Sequence, residues 1–123
     1  MDKKILKLIA ENWIAAFGEH DIEKLLSLYH PHAKHYSPRI EIERPQTKGW
    51  LKGKDQLKSW WQNSFSTLPD LNYSLRNLTV EDDRVFITYI RKVSGQHTQE
   101  VMEYLLIKNG LIIESRVLRS WII

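Results

Sequence analysis

The hydrophobic periodicity changes at Pro69, and that change restricts the fold more than any other feature of the chain. Before it, apolar residues recur at helical spacing. After it, they alternate. Asp2 can cap a first helix whose Ile5, Leu6, Ile9, Trp13 and Phe17 form one stripe. Gly18 and the Glu19-His20-Asp21 corner end that stripe. Asp21 then caps a shorter helix with Ile22, Leu25, Leu26 and Tyr29, which Pro31 stops. A third helix opens at Gly53 and places Leu57, Trp60, Trp61 and Phe65 on one face. Between the last two helices, Ala33 to Ser37 reads as a short strand, and residues 39–52 read as an irregular loop or a frayed hairpin.

Beyond Pro69, Leu71, Tyr73 and Leu75 alternate, and Leu78 and Val80 resume the pattern. Glu81-Asp82-Asp83 turns into a strand over Val85–Val93, Ser94-Gly95-Gln96 turns into one over Thr98–Lys108, and Asn109-Gly110 is a strong hairpin signal before the last strand. Helices followed by an antiparallel meander predict an α+β domain with helices on one sheet face. Residues 1–123 read as a single domain, without linker or repeat.

Apolar residues occupy both parities of the closing strands. Met102, Tyr104 and Leu106 oppose Val101, Leu105 and Ile107; Ile113, Val117 and Trp121 oppose Ile112, Leu118 and Ile122. A sheet wet on one face would alternate apolar and polar residues, so both faces are expected to be covered, the second by another subunit in a homodimer. A closed cone-shaped sheet is the competing explanation.

Composition narrows function mainly by exclusion. The chain has no cysteine, so thiolate chemistry, disulfides and Cys-ligated zinc are ruled out. The 18 basic residues are interleaved with 15 acidic ones, which reads as a solvated mixed surface rather than a nucleic-acid stripe. No apolar run reaches membrane-spanning length, and the charged N-terminus is unlike a signal peptide, so a soluble cytoplasmic protein without a membrane partner is expected. No glycine-rich phosphate loop calls for an organic cofactor. The His30-Pro31-His32 corner with His35 lacks a nearby carboxylate or cysteine to complete a metal set, so no metal is expected.

Three passages resemble the NTF2-like superfamily, in particular its SnoaL-like and ketosteroid-isomerase-like domains. They are Trp13 to Tyr29, a helix, an Asp corner and a second helix; Ala33 to Pro38 followed by Gly53 to Trp61; and Glu103 to Arg116, a closing hairpin. The resemblance implies a cystatin/NTF2-like cone, with three N-terminal helices packed on a curved, mostly antiparallel sheet around a pocket. It also implies that Trp13 stands where ketosteroid isomerases place an oxyanion-hole tyrosine and Ser37 where they place the proton-shuttling carboxylate. Met102 or Glu103 falls near their second, protonated acid, and Trp60 and Trp61 match pocket-lining aromatic positions. Serine cannot serve as that base, so a standard ketosteroid isomerase is not expected.

The candidate catalytic groups are His35 and Glu103. Strand alternation puts His35 and Ser37 on one face, where histidine is a natural general base, and burial would raise the pKa of Glu103. Ser37 and His35 stand about 7 Å apart at their roots, too far for a nucleophile–base pair. Trp13, Tyr36, Ser37, Trp60, Trp61, Met102 and Trp121 are the candidate pocket residues, with Trp13, Ser37 or Tyr36 orienting a carbonyl oxygen. Tyr89 and Arg91 share a strand face; an inward arginine could bind an anionic substrate, but sheet arginines commonly pair with carboxylates, and Glu100, Glu103 and Glu114 are available. The expected function is binding of a small hydrophobic molecule in an aromatic-lined pocket and, if the protein is an enzyme, isomerase- or cyclase-type proton transfer next to a carbonyl. The alternative is a non-catalytic dimeric ligand-binding or interaction module, in which Trp13, Trp60, Trp61 and Trp121 would fill the cone.

Overall fold

The computed structural model describes residues 2–123, and within them four α-helices, one 3-10 turn and six strands in one sheet. Helix α1 (Lys3–Glu19) begins where Asp2 accepts the Lys4 backbone N–H at 2.8 Å. Its buried stripe is Leu6, Ile9, Ala10, Trp13, Ala16 and Phe17. It runs through Gly18 and stops at His20, a left-handed residue at φ 52°. The His20 ring stacks on Phe65 at 4.6 Å and its Nε2 meets the Leu71 carbonyl at 2.7 Å, which ties down an unfavourable cap residue.

Asp21 caps α2 (Ile22–Ser27) by accepting the Lys24 N–H at 3.0 Å. Tyr29, expected on this helix, instead opens β1 (Tyr29–Tyr36). The chain has already joined the sheet at Leu28, whose carbonyl accepts the Ile112 N–H at 2.8 Å. The stretch expected as a loop is largely ordered structure: α3 (Pro38–Glu43), a 3-10 turn (Pro45–Thr47) and β2 (Trp50–Lys52). Ser37 Oγ accepts the Arg39 N–H at 3.2 Å, and Pro38 occupies the first helical turn, where its missing donor costs nothing. Ile40 is buried while Ile42 faces water. Gly49 sits at φ 91° directly under Tyr36, where a Cβ would fall 2.4 Å from the Tyr36 ring. Helix α4 (Lys54–Thr67) then buries Leu57, Trp60 and Trp61.

Strands β3 (Asn72–Glu81), β4 (Arg84–Lys92), β5 (Gln99–Lys108) and β6 (Leu111–Ile122) form the meander, and the sheet order is β2-β1-β6-β5-β4-β3. All pairings are antiparallel except β1 with β6. The sheet is curved and unclosed, and α1 and α4 pack on its inner face. Three extra residues interrupt the ladders. Arg76 is unpaired in β3, and Ile113 and Leu118 are unpaired in β6. Bulges bend a strand and shift its side-chain parity by one. The two in β6 therefore reorder its faces: Ile112, Ser115, Val117 and Ser120 share the inner face with their partners on β5, and Trp121 turns outward.

The outer face carries aromatic residues under cations of the same chain. Arg116 lies over Tyr36 at 5.0 Å, Lys34 over Trp50 at 4.8 Å, Arg84 over Tyr104 at 5.3 Å and Arg119 over Trp121 at 5.7 Å. Of the apolar pattern that pointed to a second subunit, Tyr104 and Trp121 thus lie under cations of the same chain, while Met102 and Leu118 remain exposed.

Leu105 is fully buried in β5 beneath the helices. Leu105→Ala is expected to lower unfolding stability by roughly 2–5 kcal/mol in urea titration, through lost burial and a residual void.

Candidate functional site

Between α1, α3, α4 and the inner sheet face lies a cavity of about 480 Å³. Its walls are strongly aromatic: Trp13, Phe17, Trp60, Trp61, Tyr73 and Tyr89 all reach it. They brace one another, with Trp13 edge-on to Tyr89 at 5.8 Å, Tyr73 stacked on Tyr89 at 4.3 Å, and Trp61 edge-on to Phe17 at 5.8 Å. Adjacent Trp60 and Trp61 are both buried on α4 and both border this space.

Two ionisable groups meet on the wall. β1 pairs in parallel with β6 so that His35 lies opposite Ser115, and β5 pairs with β6 so that Glu103 lies opposite Val117. His35 Nδ1 stands 2.7 Å from Ser115 Oγ and 3.8 Å from Glu103 Oε2. Ser115 Oγ lies 2.8 Å from the Tyr29 hydroxyl, which accepts from Trp13 Nε1 at 3.0 Å.

Indole nitrogen can only donate, so the Tyr29 oxygen accepts there, and either hydroxyl of the Tyr29–Ser115 pair can donate to the other. The contact between Ser115 Oγ and His35 Nδ1 takes its direction from the imidazole tautomer. On the other side, the Tyr89 hydroxyl donates to Glu103 Oε1 at 2.8 Å. Glu103 Oε2 is buried and meets no partner among the described residues.

Burial decides the charge state of this pair. Desolvation raises the pKa of Glu103 from 4.5 to about 8, partly offset by the hydrogen bond from Tyr89. Desolvation lowers the pKa of His35 from 6.5 to about 3. Both groups are therefore neutral at pH 7. Because Oε1 accepts from Tyr89, the carboxyl proton belongs on Oε2, the oxygen without a partner. The result is a neutral acid on the wall of an aromatic cavity, beside a neutral histidine. With its pKa lowered to about 3 by burial, His35 is a weak base at neutral pH.

Several expected pocket residues are elsewhere or already occupied. Tyr36 points to the outer face, donating to Glu41 at 3.0 Å, because its parity is opposite to that of His35. Met102 also faces outward, since Glu103 takes the inner register. Trp121 is turned outward by the bulge at Leu118 and borders a shallow depression with Met102 and Arg119. Ser37 borders the cavity, but its hydroxyl caps α3. Trp13 contributes its ring, while its N–H is satisfied by Tyr29. His35, Glu103, Trp60 and Trp61 all lie on the cavity wall with Trp13 and Ser37.

The sequence reading missed Ser115 and Tyr29. No cue in the sequence separated Tyr29 from the helix before it. Ser115 had none, because a bulge at Ile113 displaces it from simple alternation.

Residues 10–115 match the SnoaL-like domain family. The chain belongs to that family. Solved structures of the same fold include a SnoaL-like protein of unknown function from Burkholderia thailandensis, 21% identical, covering 95% of this chain and 96% of that one with a TM-score of 0.82. IdmH, a polyketide-cyclase candidate from Streptomyces antibioticus, is 16% identical and covers 93% and 90% with a TM-score of 0.78. TerC, crystallised with polyporic acid, is 19% identical over 93% and 90% with a TM-score of 0.79. Among curated proteins nothing matches the chain in sequence. No helix among the described residues is long and apolar enough to cross a membrane.

The SnoaL-like cavity has a pH signature with a definite sign. Glu103 has its folded pKa above its unfolded value, so its contribution is fully present below pH 4.5 and is lost as pH rises towards 8. His35 has its folded pKa below its unfolded value, so its contribution is present above pH 6.5 and is lost as pH falls towards 3. The two slopes oppose each other between 4.5 and 6.5, leaving a net loss of stability above 6.5 that belongs to Glu103. In urea unfolding across this range, Glu103→Gln is expected to gain stability relative to the parent chain between pH 6.5 and 8. An unchanged difference would mean that Glu103 is ionised in the folded protein.

Proposed function

We propose that this SnoaL-like protein binds a small apolar carbonyl compound in its aromatic cavity and promotes acid-assisted ring closure of the aldol type. The observation that carries the reading is Glu103: a buried carboxyl, neutral at pH 7, with one oxygen held by Tyr89 and the other unpartnered at the cavity wall. Such a group is suited to donate to a carbonyl oxygen that gains negative charge during reaction, in surroundings where that donation is strongest. Neutral His35 stands beside it on the same wall.

Aldol-type closure suits this set better than isomerisation, because the site offers a neutral acid and no strong base at neutral pH. A 1,3-dicarbonyl compound enolises readily without one. Its enol carbon attacks a further carbonyl carbon elsewhere in the same molecule, a C–C bond closes the ring, and the π pair of that carbonyl moves to its oxygen. That oxygen takes the Oε2 proton, and the enol hydroxyl returns a proton to the Glu103 carboxylate. Support by analogy comes from the family, from a polyketide-cyclase candidate of the same fold, and from TerC crystallised with polyporic acid.

A non-catalytic module with a filled cone is the competing reading, and the cavity volume speaks against it. Titration of hydrophobic ketones and aromatic polyketide-like compounds, followed by tryptophan fluorescence, is expected to give saturable quenching that weakens in Trp60→Leu. A flat response across the panel would favour the interaction module. With a turned-over substrate in hand, Glu103→Gln keeps a donor and should bind, while kcat falls by roughly 10²–10⁴, the usual loss when a general acid is removed. An unchanged kcat would end the acid role.

A homodimer through the outer sheet face belongs to the same proposal, centred on the partly bare Met102 and Leu118 beside Trp121. Sedimentation should then show a dimer that Leu118→Asp converts to monomer; a monomeric parent chain would rule it out.

A further inference from the structure

A second unpartnered polar group lies on the cavity wall, and its chemistry is opposite to that of Glu103. Arg91, on β4, is only 8% exposed. Its Nη1 donates to Gln96 Oε1 at 2.7 Å, while its Nη2 is buried without any partner among the described residues. Gln96 is neutral, so nothing there balances the guanidinium charge. The pairings open to a sheet arginine go elsewhere: Glu100 takes Arg76 at 3.2 Å, Glu114 takes Lys34 at 3.3 Å, and Glu103 takes Tyr89 and stays protonated.

The surroundings add positive charge. Arg39, near the start of α3, lines the same cavity, and its charge weighs unfavourably on Arg91. The remaining titratable groups on this wall are His35, His97, Tyr73, Tyr89, Glu43 and Glu103. Glu43 lies on the exposed rim of α3, and Glu103 carries no charge at neutral pH. A buried guanidinium that lacks a carboxylate and faces a second arginine is destabilised until an anion arrives. Arginine's planar fork matches a carboxylate with two parallel donors.

The strand register separates the two ends of the cavity. Arg91 lies opposite Gln99, whereas Glu103 lies opposite Ile87, four residues further back along β4. At about 3.3 Å per residue that is on the order of 13 Å of strand. Tyr89 and Tyr73 line the stretch between them.

Resting on the proposed function, and narrowing its substrate class, we infer that the ligand is an acid. Its carboxylate or an equivalent planar anion pairs with Arg91 and Arg39 at one end, its apolar or aromatic body crosses Tyr73 and Tyr89, and its carbonyl meets Glu103 at the other. Arg91 is then the residue that selects charged from neutral ligands of the same shape.

The test compares 4-benzoylbenzoate, 4-benzoylbenzamide and benzophenone by calorimetry. The three share a diaryl ketone and differ in charge and polarity at one end. The parent chain is expected to bind the carboxylate about tenfold or more tighter than the amide, the usual effect of a charge-assisted pair. Arg91→Met should abolish that preference, and Arg91→Lys should keep part of it. Equal affinity for carboxylate and amide, or a preference that survives in Arg91→Met, would overturn the inference while leaving the carbonyl-binding reading intact. Failure of all three to bind would remove the carbonyl-binding reading, and this inference with it. If Arg91→Met does not fold, the comparison of probes on the parent chain and on Arg91→Lys decides the matter.

Discussion

A carboxyl group placed beyond the reach of water governs the chemistry of this protein. Glu103 sits on the inner face of β5, walled by aromatic rings, and has a single hydrogen bond from Tyr89. Ionising it at pH 7 costs roughly 1 kcal/mol, because its pKa lies near 8 and one pKa unit corresponds to about 1.4 kcal/mol. That modest figure keeps most molecules in the neutral form and still leaves the proton transferable. The same desolvation strips His35 of its basicity, so one physical cause sets both members of the pair.

The geometry around Glu103 depends on irregularities in the sheet. Extra residues at Ile113 and Leu118 bend β6 and reassign its faces, and the bend accompanies the space left between sheet and helices. Ser115 is delivered to His35 by the first of these bulges and Trp121 is sent outward by the second. The hydrogen bonds from Trp13 through Tyr29 and Ser115 then hold the His35 ring in place. A strand of perfect alternation would have kept Trp121 on the inner face with Val117, crowding the place where ligand is proposed to bind.

The helices and the meander were legible in the sequence because each carries a strong local signal: the stripe of α1, the capping Asp21, the paired indoles of α4, and Asn109-Gly110 before β6. The SnoaL-like resemblance rested on the order of those signals. What stayed hidden depends on tertiary pairing. Tyr29 looked like the end of a helix, but Leu28 is captured by β6 first. Helix α3 begins at Ser37-Pro38, a capping side chain before a proline in the first turn, inside a charged, Pro-flanked stretch that reads as a loop. The inward course of β6 could not be read at all, since a bulge leaves no mark in a run where both parities are apolar. The cations over the outer-face aromatics were equally hidden, since Arg116 over Tyr36 and Arg84 over Tyr104 come from distant parts of the chain.

The proposed chemistry requires Glu103 to be a neutral acid at physiological pH. The most direct check is infrared difference spectroscopy of the protein against Glu103→Gln, following the protonated carboxyl C=O stretch as pH is raised. A buried neutral carboxyl gives a band present at pH 7, absent from Glu103→Gln, and titrating near pH 8. A carboxyl already ionised at pH 7, titrating near 4.5, would contradict it.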